Sequence, residues 1–141
     1  MPIHTRLRDL YRFPGFQPAA HIHGRFGAPL RRRDPAASRR QKTACGACGT
    51  LHRAFYDQSL RFIRDLEAGG RCVYLHVPIR CVACRSCEAV KRERLDWITD
   101  NPRYTHRFAV RVGRYCRLAT VKDVAEDLHL DWHAVKNLDK L

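Results

Sequence analysis

The chain has 141 residues, with 27 Lys plus Arg against 14 Asp plus Glu and a formal net charge of +13. That length suits one domain or two very small ones, and no stretch approaches the ~18 apolar residues of a membrane span. Arg6, Arg8, Asp9 and Arg12 leave no room for a secretory signal, and Pro14, Gly15, Pro18, Gly24 and Gly27 break a transit-peptide helix, so the expected location is cytoplasmic.

Residues 1–43 are rich in Pro, Gly, Arg and His, with no sustained period, and read as a largely irregular, flexible basic region. Phe13, Phe16, Ile22 and Phe26 are its only candidates for a small satellite element, and Arg31 to Arg40 reads as a linker. Residues 1–50 carry net +8, residues 51–118 net +7 and residues 119–141 net −2. Arg forks pair bidentately with phosphate, so this surplus points to nucleic acid. A membrane surface would need an amphipathic helix that the sequence lacks.

Residues 44–98 read as a small zinc-ribbon-like β module. Leu60 to Leu66 and Arg71 to Ile79 flank Glu67-Ala68-Gly69-Gly70, the pattern of a hairpin. Val73, Leu75, Val77 and Ile79 alternate with Cys72, Tyr74, His76 and Pro78, the period of a half-buried strand. Pro78 marks an exposed edge, and Ala89 to Leu95 supplies a short third strand.

Seven cysteines occur, an odd number that with no secretory signal argues against a disulfide framework. Cys45-Gly46-Ala47-Cys48-Gly49 is one two-residue-spaced pair, and Cys81-Val82-Ala83-Cys84-Arg85-Ser86-Cys87 holds two overlapping ones. Four thiolates close one tetrahedral zinc site, here Cys45, Cys48, Cys84 and Cys87, with Cys81 as the alternative ligand. Such a closed site leaves no position for substrate, so the single zinc ion is structural. Cys72 and Cys116 read as buried small hydrophobes. The H-x-E and H-E-x-x-H patterns of catalytic zinc are absent.

Residues 99–141 read as a three-helix helix-turn-helix module. Tyr104, Phe108, Val112 and Tyr115 recur at helical steps, with Arg103, Arg107, Arg111 and Arg114 on another stripe; Asn101 is the expected cap and Pro102 the first helical residue. A second helix opens at Thr120, with Asp123 completing a capping box, and a third opens at Asp131 and runs to the chain end. Val124, Leu128, Leu130, Val135 and Leu138 are spaced to bury a shared face about a turn at Leu128 to Leu130, where His129 stands in place of the usual glycine. His133, Lys136, Asn137 and Lys140 then form one exposed face able to meet bases, with the arginine stripe positioned for phosphate.

Val90-Lys91-Arg92-Glu93-Arg94-Leu95-Asp96-Trp97, Asp100-Asn101-Pro102-Arg103-Tyr104-Thr105, Ala119-Thr120-Val121-Lys122-Asp123-Val124-Ala125 and Leu130-Asp131-Trp132-His133-Ala134-Val135-Lys136 follow the second knuckle. With both knuckles, they make residues 43–141 resemble the amino-terminal part of bacterial transposases of the ISL-three insertion-sequence family. The resemblance implies an α+β protein that binds double-stranded DNA at an element's terminal inverted repeats, associated with the nucleoid and able to self-associate or pair with a full-length transposase. It also supports Cys84 and Cys87 over Cys81, since the family's second knuckle directly precedes the Val-Lys-Arg-Glu block. One departure is Glu88, where a glycine is usual. The family's catalytic domain, with three metal-binding acids, is expected beyond the helix-turn-helix, so this chain is expected not to be an enzyme. The alternatives are a zinc-ribbon RNA-binding protein of the translation machinery, an inactive transposase remnant, and a thiol redox or metal-delivery protein, which reactive cysteines of low pKa would mark.

Overall fold

The computed structural model describes residues 7–18, 23–24, 31–38, 42–68 and 70–141. In chain order these form α1 (Leu7–Leu10), β1 (Phe16–Pro18), β2 (His23–Gly24), β3 (Arg31–Ser38), β4 (Thr43–Ala44), β5 (Leu51–His52), β6 (Asp57–Ala68), β7 (Arg71–Cys84), β8 (Ala89–Arg92), α2 (His106–Cys116), α3 (Val121–Leu128) and α4 (Trp132–Asp139). The α+β class is borne out, with a β-rich part followed by three helices. No described helix is long and apolar enough to cross a membrane.

β6 and β7 form an antiparallel hairpin, in register from Asp57↔Cys81 to Ala68↔Arg71 with a bulge between Asp65 and Ala68. Its turn contracts to the two positions between Ala68 and Arg71. Gly70 has φ +71°, the left-handed backbone that glycine adopts without a Cβ penalty; Gly69 lies outside the described residues. Cys72 and Pro78 are buried against the expected alternation in β7, so Pro78 marks no exposed edge, while Val73, Leu75, Val77 and Ile79 are buried as it predicts. With Ile63 and Ile98 they form a core closed by Tyr11, Phe13 and Phe16 from the amino-terminal segment, each large side chain contributing about 1.5–3 kcal/mol. Trp97 packs on this core, stacked on Phe13 at 4.1 Å and edge-on to Phe16 at 5.2 Å. Ile22 and Phe26 lie outside the described residues.

β6 flanks one side of β7. The other side pairs in parallel with β3, from Arg31↔Cys72 to Pro35↔His76, and then antiparallel with β8, from Cys81↔Arg92 to Cys84↔Ala89. Residues 31–38, read from the sequence as linker, therefore lie in the sheet, and the expected third strand ends at Arg92. Pro78 falls between these two partners. Arg80 donates its N–H to Glu93 Oε1 and accepts the Glu93 N–H, so the backbone two residues earlier turns the same way, where its missing donor breaks no ladder.

Phe108, Ala109 and Val112 of α2, Val124, Ala125 and Leu128 of α3, and Val135 and Leu138 of α4 meet in a second core. Its first helix opens later than the sequence predicts. Neither Asn101 nor Pro102 starts it; Thr105 is the cap, its hydroxyl accepting the Phe108 N–H. Residues 103–105 run beside β6 instead: the Arg64 N–H donates to the Arg103 carbonyl at 2.7 Å and the Thr105 N–H to the Arg64 carbonyl at 3.0 Å. First-turn N–H groups have no partner within a helix, so strand-like pairing satisfies donors that an earlier start would orphan.

The expected boundary at residue 98 is crossed again by the side chains of Arg64 and Asp65. Arg64, buried, donates from Nη2 to the Leu128 carbonyl at 2.8 Å and lies 4.9 Å from the Phe108 ring centroid. Its charge thus meets the negative end of the α3 dipole. Asp65, fully buried, accepts from the Thr105 hydroxyl at 2.8 Å and from Nε and Nη2 of Arg107.

Candidate metal centre and nucleic-acid interface

The four thiols singled out by spacing converge. The Sγ atoms of Cys45, Cys48, Cys84 and Cys87 all lie within 4.8 Å of one another, with Cys45–Cys87 at 3.9 Å and Cys48–Cys84 at 3.5 Å. A tetrahedron of Zn–S bonds about 2.3 Å long has sulfur–sulfur edges of about 3.8 Å, so this cage fits the ion. Cys81 is outside the cluster: it sits in β7, opposite Asp57 and Arg92. Cys72 is buried and Cys116 half-buried.

Local backbone explains the convergence. The Gly49 N–H donates to the Cys45 carbonyl and the Cys45 N–H to the Thr50 carbonyl, each at 2.9 Å, folding the first knuckle onto itself. Gly49 has φ +76°, and Glu88, at the same place after the second knuckle, has φ +54°. Glu88 thus occupies the backbone state a glycine would take without strain. Gly46 anchors the first knuckle to the sheet: its N–H donates to the Arg92 carbonyl at 2.9 Å, and a Cβ there would meet that oxygen at 2.3 Å. No larger residue fits unless the backbone separates.

The cage is electrostatically uneven without an ion. Hydrogen bonds from the Thr50 hydroxyl and amide pull the Cys48 thiol down to about 6, and the Cys48 amide lowers Cys45. Cys87, hydrogen-bonded to Cys48, is pushed up to about 12. Such a set shares protons that a metal ion displaces, and with four thiolates bound no coordination position remains open. Among the described residues, this is the group of three or more His, Cys, Asp or Glu whose ligand atoms converge.

At the other end, α3, the turn and α4 form the helix-turn-helix. Thr120 caps α3, accepting the Asp123 N–H, and Asp131 caps α4, accepting the Ala134 N–H at 2.8 Å. His129 takes the left-handed conformation (φ 53°, ψ 48°) that turns the chain between them. α4 ends at Asp139, short of the chain end. His133, Lys136, Asn137 and Lys140 are all exposed, opposite the buried Val135 and Leu138.

The arginine stripe divides. Arg103, Arg111 and Arg114 are exposed. Arg107 is half-buried, closed on Asp65, with Nη1 donating to the Leu10 carbonyl at 3.0 Å and its guanidinium 4.7 Å from the Phe13 ring centroid. The Asp65 carboxylate raises its pKa further. Trp132 went unremarked as a site residue in the sequence. It is 45% exposed, with Lys136 Nζ 3.9 Å from its ring centroid; three residues before the buried Val135, it falls on the core spacing of α4, so no local signal set it apart.

Residues 93–140 match the helix-turn-helix domain of transposase family ISL3. The chain is 36% identical over 96 residues to the transposase for insertion sequence element IS1001 of Bordetella parapertussis, an alignment covering 68% of this chain and 24% of that protein. It thus spans about a quarter of the length of the curated relative it matches. No solved structure matches. The resemblance to the amino-terminal part of an ISL3-family transposase is borne out.

Proposed function

We propose that this chain, with the helix-turn-helix of an ISL3 transposase, is a zinc-stabilised unit that recognises the terminal inverted repeats of an insertion sequence. It would act on double-stranded DNA in the bacterial cytoplasm, at the nucleoid, alone or paired with a full-length transposase. The observation that carries this reading is the exposed face of α4, with His133, Lys136, Asn137 and Lys140 on a capped helix set by a tight turn. Asn bonds adenine bidentately, and Lys meets guanine or phosphate. Arg103, Arg111 and Arg114 supply phosphate contacts, while Arg107 is spent on Asp65. Zinc at Cys45, Cys48, Cys84 and Cys87 holds the knuckles together and takes no part in chemistry. We assign the chain recognition; among the described residues the buried acids, Asp65 and Glu93, are held by Arg107, Thr105 and the Arg80 amide as parts of the fold.

The test is duplex DNA binding by fluorescence anisotropy across a salt series, with and without a zinc chelator. About six phosphate contacts give a slope of log affinity on log salt near −5, and chelation abolishes binding. Binding indifferent to the chelator removes the role of zinc. Preference for structured RNA over duplex DNA overturns the reading in favour of an RNA-binding ribbon.

A further inference from the structure

We propose that Trp132 is a specificity residue, packing its indole against the 5-methyl group of a thymine in the major groove. This rests on the DNA-binding reading above and adds to it an apolar base contact that the polar residues of α4 do not make.

Three observations converge on this ring. Trp132 is the first residue of α4, directly after its cap Asp131, and the amino-terminal residues of a recognition helix are those that reach base edges. It belongs to neither large core cluster and is 45% exposed, although its neighbours Val135 and Leu138 are buried at 0% and 4%. Among the described residues its ring meets two exposed side chains: Lys136 Nζ sits 3.9 Å from the ring centroid, and His133 packs edge-on at 5.2 Å. The indole is therefore part of the reading surface and not a core residue that failed to bury.

The chemistry selects thymine. In the major groove an A·T pair differs from the others by the thymine O4 and by a methyl group, and the methyl rewards only an apolar neighbour. His133, Lys136, Asn137 and Lys140 offer hydrogen bonds and charge; Trp132 is the apolar surface beside them. The thymine methyl is presented in the major groove, and Trp132 lies next to Lys136 at the start of α4, beside the polar face. An exposed cation–π contact is weak. The methyl therefore replaces Lys136 on the ring and frees that ammonium for guanine or phosphate.

The experiment first selects a preferred duplex from random sequence with the zinc-loaded full chain. Each thymine of that duplex is then replaced singly by deoxyuridine, which removes only the methyl. The expected result is one position at which deoxyuridine weakens wild-type binding about fourfold, the worth of one buried methyl. Trp132→Ala should bind the thymine and deoxyuridine duplexes equally, and Trp132→Leu should retain part of the discrimination. Circular dichroism of both variants should match wild type, since the ring is outside the core. The same loss at the same thymine in wild type and Trp132→Ala overturns the proposal, as does the absence of any methyl-sensitive position; in either case sequence-specific binding still stands. If selection yields no preferred duplex, the DNA-reading function itself fails and this inference falls with it.

Discussion

Two residues of one type can have opposite fates on one helix. Arg107 lies among arginines that look alike in sequence, yet it neutralises the fully buried Asp65. Removing it leaves that carboxylate without its counter-charge, and Arg107→Ala should destabilise the fold by about 2–3 kcal/mol in urea melts, less than a fully buried pair because Arg107 is partly exposed. Arg111→Ala and Arg114→Ala should leave the melt within about 0.5 kcal/mol of wild type, while each lowers the salt slope of DNA binding by about one. A different kind of residue effect belongs to Glu88, which holds φ +54° beside the cysteine cage. Glu88→Gly should relieve about 1 kcal/mol of backbone strain. Competition against a chromophoric chelator would show this as roughly fivefold tighter zinc retention; unchanged retention would place the strain elsewhere.

At the scale of elements, caps decide where the helices begin. Asp131→Ala should cost about 1 kcal/mol, seen as faster hydrogen exchange at the first-turn amides of α4 with α2 unaffected. Thr120 and Asp131 were legible as caps because a capping side chain and its target are three residues apart. The alternation of Val73, Leu75, Val77 and Ile79 and the cysteine spacing were legible for the same reason: each is a local pattern with one structural solution. The start of α2 was not, because Asn101-Pro102 is a sound local signal that loses to hydrogen bonds from Arg64, about 40 positions earlier in the chain. Similarly, the core roles of Tyr11, Phe13 and Phe16 depend on Trp97 and the face of β7, which no window of sequence contains. The polar face of α4 was read from helical spacing, whereas Trp132 was hidden by the habit of counting Trp as core.

For the molecule as a whole, buried hydrogen bonds join the hairpin to the helices. Arg64 and Asp65 hold Leu128, Thr105 and Arg107, while β7 and β8 hold the second knuckle beside Gly46. Stripping zinc, or replacing Cys84 with Ser, should therefore lower the melting temperature of the helical signal together with that of the sheet, in one calorimetric transition. Two separate transitions, with the helices unmoved, would show the joints to be superficial. The joint at Arg64 also has a practical bearing on where the gene should be cut. A fragment starting at residue 93, the edge of the family match, would discard the side chain that caps α3 and the carboxylate that seats Arg107. One starting at residue 43 would keep both but strip Phe13 from the face of Trp97. An expression boundary drawn from sequence similarity alone thus cuts these contacts, and a fragment that keeps them all starts before Tyr11.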